Sequence, residues 1–241
     1  MKRLLRVEGT KITAVARNIQ SLQGLPHERV FSLSMDVAKP ENIDAMIDAA
    51  IANMGGIDCL IACAGFGYYE RFMGQDYGHI ERIFQTNVLS PLYTLQRLLD
   101  KVEGKVSFTV ISSAIGKFSI PGMALYCATK FALDGFADAF RFEKPDRLHY
   151  MTAYPIGLAT NFWERIATNI PLPRPLQQPE DAARAILNGL RLEKRAVGSP
   201  PAATAVWALN RFLPLFVPLY QAWNKARFDN WQSGKYGAIQ D

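Results

Sequence analysis

Short apolar runs alternate along this chain with stretches whose apolar residues recur at helical spacing, and that alternation limits the fold more than any other feature. Lys11 to Ala16 (KITAVA) mixes β-branched and small residues and stops at Arg17-Asn18, as a buried strand does. Val30 to Met35 ends at Asp36, and Ile57 to Ala64 ends in Gly65-Phe66-Gly67. Between them, Pro40 to Met54 sets Ile43, Met46, Ile47, Ala50 and Ile51 on one helical stripe, with proline at its start and Gly55-Gly56 behind it. The order continues with a helix from about Tyr77 to Val102, a strand Lys105 to Ile111 and a helix Met123 to Phe142. A strand from about His149 to Tyr154, a helix Pro179 to Leu192 and a short strand around Ala196-Val197 follow. Strands that alternate with helices bury both faces of one sheet, so the expected class is α/β, a doubly wound parallel sheet flanked by helices.

With 241 residues, 49% of them hydrophobic and 20% charged, the chain can bury one sizeable core. No repeat or linker divides it, so a single domain over 1–241 is expected, with the core in about 1–198 and an apolar extension in 199–241. The net charge of +5 is spread among acids rather than gathered in a run, which gives nucleic-acid binding little support. Cys59, Cys63 and Cys127 are odd in number and lack zinc-ligand spacing, which fits a reducing cytosol better than secretion and predicts no metal site. Met1 to Gly9 holds no apolar stretch of signal-peptide length, so a cytoplasmic location is expected.

The residues that bear chemistry begin with Tyr126-Cys127-Ala128-Thr129-Lys130, where a tyrosine and a lysine four positions apart share a helix face. Taken alone, such a pair is commonly a solvated helix face. Ser113, however, stands thirteen positions earlier at the end of a predicted strand, where open α/β sheets present reactive groups. Asn87 lies further upstream in Thr86-Asn87-Val88. Ser113 capping a strand end and Asn87 breaking a helix are the plainer uses of those residue types.

In their order and spacing, Asn87, Ile111-Ser112-Ser113 with Gly116, Tyr126 with Lys130, and Pro155-Ile156-Gly157 with Thr160 resemble the consecutive motifs of the short-chain dehydrogenase/reductase family, over about Met1 to Leu192. The resemblance implies a Rossmann-like fold and an oxidoreductase that interconverts a ketone or aldehyde and an alcohol with NADP(H). Tyr126 would be the general acid in reduction and the base in oxidation. An ammonium about 4 Å away at an effective dielectric of 20 is worth roughly 4 kcal/mol, so Lys130 is expected to bring the phenol toward neutral pH. Ser113 would orient the substrate oxygen, and Asn87 would hold a proton-relay water.

The resemblance also marks coenzyme contacts. Arg17 stands where NAD-preferring relatives usually carry an acid, and an arginine there suits a 2′-phosphate, although a solvated strand-end arginine is the alternative. Asp36 and Val37 resemble adenine contacts, and Thr160 keeps the position that meets the nicotinamide amide. Ala62-Cys63-Ala64-Gly65 replaces a motif that usually begins with two asparagines, leaving backbone roles for Ala64 and Gly65. Ile156 intrudes into the usual proline-glycine pair of Pro155 and Gly157. Phe66, Met123, Phe162 and Trp163 are the candidate substrate contacts, for an apolar and fairly bulky substrate.

Family members open with a strand, a Thr-Gly-x-x-x-Gly-x-Gly turn and a helix that bind the pyrophosphate, and this sequence holds no such turn. Its first residues resemble the end of that helix, so a truncated form of an active reductase is expected, and a chain beginning at Met1 is expected to bind NADPH poorly. The lost strand would carry four or five buried side chains, roughly 6 to 15 kcal/mol of burial. The alternative, from another class, is a coenzyme-free binding or scaffold relative. Beyond Ala202 the chain is apolar but broken by Pro214 and Pro218. Trp207, Phe212, Phe216, Tyr220 and Trp223 with Arg211, Lys225 and Arg227 suit either a membrane surface, through 202–227, or a cover for the substrate cleft or a subunit interface. Homo-oligomers are implied by the family.

Overall fold

The structure is a computed structural model that describes residues 1–22, 24–167, 169–200 and 216–236. Its strands are β1 (Ile12–Ala16), β2 (Val30–Ser34), β3 (Cys59–Ala62), β4 (Val106–Ile111), β5 (Leu148–Pro155) and β6 (Ala196–Ser199). The helices are α1 (Pro40–Met54), α2 (Tyr77–Phe84), α3 (Ser90–Lys101), α4 (Ala124–Phe140), α5 (Phe162–Ile166), α6 (Pro179–Arg191) and α7 (Phe216–Gln232). All strand pairs are parallel, and the crossovers carry helices, as the alternation predicts.

The sheet is in two pieces. β1 pairs only with β2, with Ile12 opposite Val30, while β3-β4-β5-β6 form a separate four-stranded sheet with Val106 opposite Leu148. β1 and β3 are not hydrogen-bonded to each other, and a cavity of about 190 Å³ lies between them, lined by Thr13, Val15, Val37, Ile61 and Ala64 among others. In the main core, part of which borders this cavity, Ile43 and Ile47 of α1 and Leu95 and Leu98 of α3 cluster with Phe108 of β4 and Leu133 of α4. Each such side chain stabilises the fold by about 1.5 to 3 kcal/mol.

The helix expected over Tyr77 to Val102 is one helical run with a π turn at Gln85–Leu89, so that α2 and α3 are joined through Asn87. Asp76 caps its start by accepting the His79 N–H at 2.7 Å. Pro91 lies in the first turn of α3, directly after that π turn. α5, between β5 and α6, is a single turn carrying Phe162 and Trp163.

Of the carboxyl-terminal extension, residues 201–215, with Trp207, Arg211, Phe212 and Pro214, lie outside the described residues. Pro218 stands in the first turn of α7, where proline is tolerated. Phe228 and Trp231 of this helix are buried with Tyr69, Met123 and Cys127 in a second cluster. Leu219 and Trp223 face outward, 72% and 47% exposed. No helix among the described residues is long and apolar enough to cross a membrane.

α6 meets the sheet at Gly189, where a Cβ would overlap Val197 Cγ2 and stand 2.9 Å from Met151 Sδ. Gly189→Ala is therefore expected to destabilise the protein by about 1 to 3 kcal/mol despite alanine's better helix propensity. A lower urea midpoint at unchanged slope checks it.

Candidate active site

Ser113 leaves the end of β4 extended, and its Oγ accepts the Ile115 N–H at 3.3 Å, which starts a short 3₁₀ turn at Ala114–Gly116. α4 begins a few residues later and presents Tyr126 and Lys130 one turn apart toward the same point. The Ser113 side chain lies close enough to the Tyr126 phenol to favour its ionisation. Lys130 is 4% exposed, with Nζ donating to Ile111 O at 3.0 Å and lying 5.4 Å from the centre of the Tyr126 ring. Gly67 packs flat on that ring: a Cβ there would stand 3.1 Å from both Tyr126 Cδ2 and Phe162 Cζ. Serine, tyrosine and lysine, expected together from their spacing, are thus brought to one place.

Their ionisation differs from the sequence expectation. Burial disfavours the phenolate and raises the Tyr126 pKa above its usual 10, and the nearby Ser113 side chain offsets only part of this. The surface that Tyr126 does expose faces the cavity it lines, whose walls are mostly apolar. Burial also brings the Lys130 pKa down to about 8. The expected acidification of Tyr126 by Lys130 is therefore not seen: the amine is held by Ile111 O, and loss of hydration outweighs attraction at this separation.

Asn87 is 1% exposed and fully engaged. Its Oδ1 accepts the Phe66 N–H at 3.0 Å, and its Nδ2 donates to Phe66 O at 2.8 Å and to Thr129 Oγ1 at 3.1 Å. It ties the loop after β3 to α4, holding Phe66 beside it, and does not border the cavity.

That cavity has a volume of about 400 Å³, within the range of small-molecule sites, and lies beyond the carboxyl ends of β3, β4 and β5. Met123, Phe162 and Trp163 line it as expected. Phe66 does not; the two Asn87 bonds hold its backbone, and its ring packs edge-on against Tyr68. Gly65, Pro155, Gly157 and Thr160 border the cavity beside Tyr126 and Lys130. Val37 and Ala64 border the smaller cavity between β1 and β3 instead. Arg17 and Asp36 border neither; Arg17 is exposed at the exit of β1, and the Asp36 carboxylate accepts the Ala38 N–H. Tyr69, Phe118, Ile120 and Asn224 also line the large cavity and were not singled out in the sequence, while Tyr220 and Arg227, which also line it, fit the reading of the extension as a cover for the cleft. The apolar character of the last fifty residues was the available signal for three of them.

A mostly apolar lining that also carries Thr160, Tyr126, Ser113 and Lys130 suits a nicotinamide ring. The exposed guanidinium of Arg17 has no ion-pair partner among the described residues.

Residues 2–170 match the family model described as short chain dehydrogenase. The chain belongs to the short-chain dehydrogenase family. Among curated relatives, 3-dehydrosphinganine reductase of Danio rerio is 25% identical over 190 residues, covering 73% of this chain and 57% of that protein. The chain thus spans little more than half of that relative's length. A short-chain dehydrogenase from Streptomyces avermitilis superposes with a TM-score of 0.74 at 23% identity, over 90% of this chain and 88% of that one. A short chain dehydrogenase from Burkholderia cenocepacia, solved in complex with NADP, gives 0.72 at 21% identity, over 87% and 84%. At these identities the two structures bear on the fold, which they share with this member of the family.

Proposed function

We propose that this short-chain dehydrogenase is an NADP(H)-dependent oxidoreductase that interconverts a ketone or aldehyde and an alcohol. The observation that carries the reading is the meeting of Ser113, Tyr126 and Lys130 on one wall of an apolar cavity bordered by Thr160. When bound, the nicotinamide supplies or accepts the hydride. Gly65, Pro155, Gly157 and Thr160 would hold the ring, and Arg17 would pair with the 2′-phosphate.

The chain's own groups handle the oxygen and its proton. Ser113 donates a hydrogen bond to the substrate oxygen and fixes it beside the phenol. Tyr126 Oη delivers its proton to that oxygen in reduction and takes one back in oxidation. Because burial keeps the phenol protonated at neutral pH, reduction is the direction for which the site stands ready. Lys130, with a pKa near 8, is mostly cationic at neutral pH and stabilises negative charge as it forms on the tyrosine oxygen.

Titrations of NADPH and NADH, followed by nucleotide fluorescence, test the coenzyme. NADPH is expected to bind more tightly, and Arg17→Glu to weaken it by about tenfold or more with little effect on NADH, since a charge-assisted hydrogen bond is worth about 1.5 to 3 kcal/mol. Failure to bind either nucleotide, both by this chain and by a version with an upstream strand and Gly-rich turn restored, favours the coenzyme-free scaffold.

A further inference from the structure

The large cavity has an uneven charge. Of its ionisable lining residues, none is an aspartate or glutamate, whereas Lys130, Arg174 and Arg227 are all present. Lys130 belongs to the catalytic trio. Arg174 and Arg227 come from the wall formed by the loop before α6 and by α7, along with Pro171, Pro173, Tyr220 and Asn224. Neither arginine makes an ion pair with a carboxylate among the described residues.

Arg227 is held in place rather than left loose. Its Nη2 donates to Leu172 O at 2.6 Å, and its guanidinium lies 4.3 Å over the Trp223 ring. These contacts orient the fork and leave other N–H groups free for a ligand. Arg174 is exposed and stands at the rim, two residues beyond Leu172. Asn224, 8% exposed, borders the cavity one turn before Arg227. The rest of this wall is aromatic or aliphatic, so a ligand that reaches the arginines passes along an apolar surface.

We propose that the cavity takes an amphipathic anion: an apolar body bearing the reacting carbonyl or hydroxyl beside Tyr126, and a carboxylate or phosphate held by Arg227 and Arg174. This rests on the oxidoreductase reading for the reacting end only. Both anions present oxygens that match the guanidinium fork, and the apolar lining matches the body. A neutral or cationic end group would leave the two cations unmatched.

Binding without coenzyme tests it. Decanoate, decyl phosphate, decanol and decylamine are titrated against the full chain by intrinsic tryptophan fluorescence, with Trp163 and Trp223 as nearby reporters. At least one anion is expected to bind about tenfold or more tightly than decanol, the factor of one charge-assisted hydrogen bond, and decylamine more weakly than either. Which anion leads tells a carboxylate substrate from a phosphate ester. Added salt should shrink the advantage. The paired change Arg174→Gln with Arg227→Gln is expected to bring decanoate and decanol level, and Arg227→Lys with native Arg174 to keep most of the preference. That preference is a readout that a merely structural Arg227 would not move. Equal binding of decanol and both anions, tighter binding of decylamine, or an anion preference that survives the double change overturns the proposal. Because no nucleotide is present, none of these outcomes bears on the oxidoreductase reading. The absence of NADPH-linked turnover of any ketone overturns that reading and leaves the binding constants standing.

Discussion

Replacing Tyr126 by phenylalanine is expected to cut carbonyl reduction by about 10²- to 10⁴-fold, the usual contribution of a positioned acid, while the fold and nucleotide affinity stay unchanged. The ring contacts with Phe162, 5.7 Å between centres, and the flat approach of Gly67 do not involve the hydroxyl. The substitution removes only the hydroxyl beside Ser113 and the proton to be transferred. The pH profile gives a second check. The phenol's pKa is raised, so oxidation, which needs the phenolate, should climb with pH through the neutral range and above, while reduction, which needs the protonated phenol, should not. Steady-state rates in both directions measure this. A Tyr126→Phe variant within tenfold of the native rate would show that the proton comes from elsewhere.

The second large effect is on stability and has the opposite sign. Lys130→Met is expected to abolish activity yet raise stability at pH 7 by about 1 to 3 kcal/mol, or about 2 to 4 °C in Tm for each kcal/mol. Lys130 is buried, and its pKa falls from 10.5 to about 8 on folding. Between those two values the unfolded chain binds more protons than the folded one. The cost of burying the cation is therefore fully present below pH 8 and fades as pH rises toward 10.5. The advantage of methionine should shrink over that same interval. It is reduced throughout by loss of the Nζ bond to Ile111 O, which is why the lower end of the range is below the full linkage value. Thermal melts of both proteins from pH 6 to 10 decide it. A Tm difference that is negative, or that does not change with pH, removes the claim that this lysine is held at a cost.

Local pattern made much of this protein legible. The stripe Ile43, Met46, Ile47, Ala50, Ile51 predicted α1 with both of its ends, because proline at a helix start and glycine behind it are local signals, and Gly55 does take the left-handed cap at φ 86°. Strand ends were harder: Ile57 to Ala64 contains only four strand residues, since pairing with Ser107 to Val110 of β4 sets the length. The π turn at Gln85–Leu89 was not read from the sequence, because a single wide turn inside a helical run has no residue type of its own to mark it.

The candidate site divides in the same way. Tyr126 and Lys130 share a helix face by their spacing, and Ser113 follows a strand that a doubly wound sheet must end there, so the trio could be assembled from the amino-acid order alone. Chain order could not say that Phe66 turns away from the cavity, nor decide between the membrane surface and the cleft cover for Arg227, since both depend on contacts distant in the chain. Nor could it set the balance of charge. Whether a lysine acidifies a tyrosine depends on how much water each loses and on what else holds the amine, and here burial and Ile111 O decide against it. The order of residues settled the family and the alternation and pointed to the candidate site residues, because these are local or periodic properties. Tertiary packing alone decided their ionisation, the separation of β1 from β3 and the shape of the cavity, because dielectric, edge pairing and volume are set by neighbours that meet only on folding.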